Sequence, residues 1–93
     1  MELKDFIKVI TERPAMYGVN RIEDLYLIIR GFLYAHTKTD LEDLMYNFRI
    51  FVNEKWDCKE DAEWCRLIRF YSGSDQHSLE LFKSLWEEFV REK

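Results

Sequence analysis

The sequence predicts an all-α fold: a compact bundle of about five helices with short loops, forming one domain over residues 1–93. Three observations carry this. Only three Gly and one Pro occur in 93 residues, too few turn formers for a strand-rich fold of this length. Apolar residues recur at i, i+3, i+4 and i+7 in successive segments, the period of a helix with one buried face. The composition, 47% hydrophobic and 16% aromatic, is rich enough in large side chains to build a core without metal or disulfide.

Leu3, Phe6, Ile7 and Ile10 set the first helix. It stops before Pro14, which disfavours helical geometry at Arg13. Residues 13–20 then read as a loop in which Gly18 supplies a positive φ, Met16 and Tyr17 plug the core, and Arg13 caps a carbonyl or pairs with an acid. Asn20 with Glu23 has the spacing of a capping pair. The second helix carries Ile22, Leu25, Tyr26, Ile29, Phe32 and Leu33, widened by Leu27, Ile28 and Tyr34. It is expected to be the most buried helix, with close helix approach compensating the cost of about 1 kcal/mol for Gly31 in its interior.

Thr37 and Thr39 are alternative start signals for a third helix bearing Leu41, Leu44, Met45, Phe48, Phe51 and Val52 and ending near Lys55. Asp57 with Glu60 repeats the capping-box spacing. The expected fourth helix that follows carries Ala62, Cys65, Ile68 and Phe70 beside Trp64, Leu67 and Tyr71. Ser72-Gly73-Ser74-Asp75 is a turn, and a last helix follows with Leu79, Phe82, Leu85, Trp86, Phe89 and Val90.

Charge is segregated along the chain. Residues 40–63 hold eight acids (Asp40, Glu42, Asp43, Glu54, Asp57, Glu60, Asp61, Glu63) against three bases, a net of −5, while residues 1–39 are net +1 and residues 64–93 are neutral. Helix-start chemistry accounts for part of this. The remainder predicts a negative face for a basic protein partner, with Trp56 as an aromatic anchor. A formal net charge of −4 argues against nucleic acid as the partner, since phosphate binding runs on Lys and Arg. A DNA-binding use of Arg66 and Arg69 is disfavoured for the same reason.

Other chemistries find little footing. His36, Cys58, Cys65 and His77 contain neither Cys-x-x-Cys nor a closely spaced His pair, so no metal site is expected. The two cysteines, seven residues apart, would sit about 10 Å apart along a straight helix and are expected to be reduced. No Gly-x-Ser-x-Gly occurs, and Ser72, Ser74 and Ser78 cluster where capping explains them. Asp57/Asp61 and Glu60/Glu63 fall at i+4 and i+3 on one face of the expected fourth helix and could serve an acid–base role, but the sequence shows no pocket around them. Hence no catalytic residue and no cofactor is expected. No apolar run approaches the roughly 18–20 residues of a membrane span, and Met1-Glu2-Leu3-Lys4-Asp5 lacks a signal-peptide apolar region. The cytoplasm is the expected location.

Arg13-Pro14-Ala15-Met16-Tyr17-Gly18 is similar to a string in gyrase B type ATPases, but this chain has no room for their α/β domain and lacks their other phosphate-binding glycines. Over nearly its whole length the chain resembles a family of small bacterial helical proteins. The resemblance rests on that string, the apolar helix of residues 22–34, Trp64-Cys65-Arg66-Leu67-Ile68, and Phe82-x-x-Leu85-Trp86-x-x-Phe89. Here Gly18 follows Tyr17 directly, where the family pattern has an intervening residue. The resemblance implies an all-helical fold and, as in some of those proteins, an immunity role beside a toxin gene. The expected function is therefore neutralisation of a basic, nuclease-like toxin domain through Asp40, Glu42, Asp43, Trp56, Asp57, Glu60, Asp61 and Glu63. A regulatory or scaffold module binding protein through an apolar groove, as a homodimer, is the alternative.

Overall fold

The computed structural model describes residues 2–36 and 39–92, with the Thr39 side chain also outside the described set. Five helices follow one another: α1 (Leu3–Glu12), α2 (Ile22–Ala35), α3 (Thr39–Lys55), α4 (Trp64–Tyr71) and α5 (Asp75–Arg91). Among the described residues there is no strand. The radius of gyration is 12.5 Å, against about 12 Å for a compact chain of this length. Of the two expected start signals for α3, Thr37 lies outside the described residues.

Each helix buries one stripe. Leu3, Ile7 and Ile10 of α1, and Ile22, Leu25, Ile29 and Leu33 of α2, face inward. The hub is Phe48 on α3, fully buried. Its ring meets those of Trp64, Phe82, Trp86 and Phe89 edge-on, at centroid distances of 5.0–5.7 Å. Edge-to-face contacts suit the ring quadrupoles and add to the burial of these large side chains. Trp64 is thus a core residue.

As expected, α2 leaves the smallest share of its residues exposed, four of fourteen, but Leu27 and Tyr34 do not widen its buried surface. They are 67% and 74% exposed, because α3, α4 and α5 gather around Phe48 and α2 covers them with one face only. Gly31 does not permit close helix approach either: a Cβ there would meet nothing within 4 Å.

Local chemistry departs from expectation in two more places. Pro14–Tyr17 forms a short 3₁₀ turn, closed by Gly18 at φ +74°, whose N–H donates to the Ala15 carbonyl. That tight turn points Met16 (72% exposed) and Tyr17 to solvent, and Val19 enters the core instead. Arg13 reaches only the Met16 sulfur, at 4.0 Å. At the start of α2 the reach-back acid is Asp24, whose carboxylate accepts from the N–H groups of Asn20 and Arg21 at 3.0 and 3.1 Å. The helix begins one residue later than the Asn20 pairing assumes, so Glu23 is free to turn sideways. There it takes a two-pronged bond from Arg69 of α4, at 3.0 and 2.8 Å. Arg69 also donates to Asp75 at 2.7 Å, tying α2, α4 and the start of α5 together. At the other turn Ser74 caps α5 as expected, accepting from the His77 N–H at 3.0 Å.

Candidate functional site

Residues 56–63 depart most from the expected fourth helix. They are not the first turns of a helix; α4 begins only at Trp64. Asp57 and Asp61 hold left-handed backbone, at φ 51° and 54°, which breaks any helical path between them. Aspartate tolerates this conformation better than most residues. The acid pairs Asp57/Asp61 and Glu60/Glu63 therefore share no helix face.

Two side chains of α3 hold this loop. Buried Asn53 donates to the carbonyls of Arg49 and Ala62 at 2.7 and 2.8 Å, and its own carbonyl accepts from the Ala62 N–H at 3.0 Å. Arg49 donates to the Asp61 carboxylate at 3.2 Å, the Asp61 carbonyl at 2.6 Å and the Glu63 carboxylate at 2.7 Å. A guanidinium with its donors so occupied acts as a bracket for the loop backbone.

The eight candidate residues now divide. Asp61 and Glu63 are paired with Arg49, and Glu42 lies 3.6 Å from Arg30. Arg30 in turn sits over the Tyr34 ring, 5.4 Å from its centre. Glu42 and Glu63 line one cleft of about 220 Å³ between α2, α3 and the start of α4, with Leu33, Met45 and Trp64 among its apolar walls. The two acidic clusters thus converge at this cleft, but there each carboxylate faces a guanidinium.

Asp40, Asp43, Asp57 and Glu60 behave differently. All four are exposed, and none has a cation within ion-pair distance among the described residues. Asp40 and Asp43 share the outer stripe of α3 with Asn47 and Glu54, at i, i+3, i+7 and i+14. Glu54 is exposed and likewise unpaired. It belongs with the candidates, and its spacing from Asp40 and Asp43 is the signal that finds it. The outer stripe of α3 thus carries Asp40, Asp43 and Glu54, and the loop that follows carries Asp57 and Glu60 beside Lys59, all exposed. The neighbouring base, Lys55, is bonded to Glu88 of α5.

Trp56 is half-buried and lies flat on Tyr71, with centroids 4.7 Å apart and planes 13° apart. It supports the loop from beneath.

Remaining reactive groups are engaged. Burial, with the Glu63 and Glu23 carboxylates adding to it, pushes the Cys65 thiol up to about 11, which keeps it protonated and a poor nucleophile near neutrality. Cys58 and Cys65 are both free thiols. His77 accepts the Gly73 N–H on Nδ1 at 2.9 Å, and His36 stacks on Phe32. Ser78 is buried and donates to the Asp75 carbonyl. Among the described residues no group of three His, Cys, Asp or Glu is placed to hold a metal ion, and no helix is long and apolar enough to cross a membrane. The chain matches no family model, no curated protein and no solved structure.

Proposed function

We propose that this chain is a non-enzymatic, immunity-type inhibitor that acts in the bacterial cytoplasm by binding a basic, nuclease-like toxin domain. The observation that carries the reading is five exposed carboxylates along α3 and its following loop, Asp40, Asp43, Glu54, Asp57 and Glu60, that have no ion-pair partner among the described residues. Such a surface steers a cationic cleft to itself and screens it from phosphate. The segment bearing it is held rigid by Arg49 and Asn53, which limits the ordering cost of binding. Replacing Asp40, Asp43, Glu54 and Asp57 together by Lys is expected to slow association with the basic partner at least about tenfold at low salt and to abolish protection of cells producing the toxin. Unchanged association and protection would refute the reading.

A second reading, a homodimeric scaffold module, draws on one observation. Leu27, Gly31 and Tyr34 form an exposed stripe on α2, and Gly31 has no packing reason within its own chain. If a second copy covers that stripe, Gly31→Arg dissociates a dimer seen by sedimentation. A monomer at high concentration rejects this reading.

A further inference from the structure

Trp56, the residue before Asp57, opens a run of aromatic rings that ends facing solvent. Phe70, on the outside of α4, is 79% exposed, and no large apolar side chain among the described residues is more so. The eight-residue α4 turns Trp64, Leu67 and Ile68 into the core, so packing does not require an aromatic at position 70. The Phe70 ring stands edge-on to Tyr71, with centroids 5.0 Å apart and planes at 80°. Tyr71, itself exposed, lies flat on Trp56. The three rings make a continuous ladder from the end of α4 into the loop, ending on Trp56, whose chain neighbour is unpaired Asp57.

We propose that Phe70 and Tyr71 are a stacking platform for an arginine side chain of the basic partner, with Glu54, Asp57 and Glu60 supplying the counter-charge beside it. The inference rests on the reading of this surface as a docking site for a basic protein. Charge complementarity selects the occupant. Exposed rings next to unpaired carboxylates suit a group that is both cationic and flat. A guanidinium is weakly hydrated and stacks on aromatic faces, whereas an ammonium holds its water more firmly. Two cations that neighbour the ladder in the chain are committed elsewhere, Lys55 to Glu88 and Arg69 to Glu23 and Asp75. Arg66, one helical turn before Phe70, and Lys59 in the loop are exposed and have no ion-pair partner among the described residues.

The test uses the full chain, with nona-arginine and nona-lysine peptides as probes of equal charge, followed by calorimetry at low salt. Trp64 and Trp86 are buried, so a change in tryptophan emission on titration reports on Trp56. Nona-arginine is expected to bind about three- to five-fold more tightly than nona-lysine. Phe70→Ala, at an exposed position, leaves the fold intact and is expected to bring nona-arginine down to the affinity of nona-lysine without altering the latter. Phe70→Trp is expected to keep the preference. If Phe70→Ala changes neither peptide's affinity while Glu54→Lys/Asp57→Lys weakens both, the platform is wrong and the acidic docking surface stands. If neither peptide binds wild-type protein, both fall.

Discussion

Phe48 and Arg49 are neighbours in the chain and serve opposite regions of the molecule. Phe48 points into the core, where four aromatic rings meet its edges and faces. Arg49 points outward and holds the backbone and carboxylates of the 56–63 loop. The core is held by non-directional burial, whose contribution grows with area. The loop is held by a few directional bonds from two side chains, Arg49 and Asn53. One region sets how stable the protein is, and the other sets where its free carboxylates sit.

The contrast can be broken at each side. Phe48→Ala is expected to cost about 3–5 kcal/mol by leaving a cavity among rings that do not collapse into it, measured by urea denaturation. The surviving folded molecules are expected to bind a basic partner as before. Asn53→Ala removes three hydrogen bonds and orphans the Ala62 N–H and carbonyl, so about 2–3 kcal/mol is expected. Amide exchange should quicken first at Ala62, ahead of the core.

A third, smaller effect lies at the Glu23–Arg69 bracket between α2 and α4. The Arg69 guanidinium holds the Glu23 carboxyl well down, from 4.5 to about 2. Because the folded value is the lower one, this contribution is complete above pH 4.5. It is lost as pH falls from 4.5 toward 2. Glu23 is 44% exposed, so solvent screening limits the contribution to about 1 kcal/mol or less. Arg69→Met is expected to flatten that part of the stability profile. The smallest effect is Asp57→Gly, which relieves left-handed backbone at an unpaired residue. A gain of about 0.5–1 kcal/mol is expected, at the expense of one carboxylate on the binding surface.

The same contrast explains what was legible in the sequence. Helical periodicity is enough for α1, α2, α3 and α5, because the stripe that makes each helix amphipathic is the stripe it buries. Residues 56–63 are a different case. The Asp57/Glu60 spacing is a local signal for a helix start, but the segment is decided by Arg49 and Asn53 from the preceding helix, which read as ordinary surface residues in sequence. The pairing of Glu42, Asp61 and Glu63 with arginines is likewise invisible without the third dimension. Glu54 lay in plain view, at helical spacing from Asp40 and Asp43. The outward face of Phe70 is likewise not legible, because α4 begins only at Trp64 and two turns leave its rotation undetermined by pattern alone. Met16 and Tyr17 are turned outward by the tight turn before Gly18.

The central claim is that the outer stripe of α3 and its loop form the partner-binding surface. The most direct measurement is a nitrogen–proton NMR titration of the labelled chain with the basic toxin domain. The account predicts that the amides of Asp40, Asp43, Asn47, Glu54, Asp57 and Glu60 shift or broaden first, while those of Leu27, Gly31 and Tyr34 stay in place. Perturbation of the α2 stripe with a silent α3 and loop would contradict it.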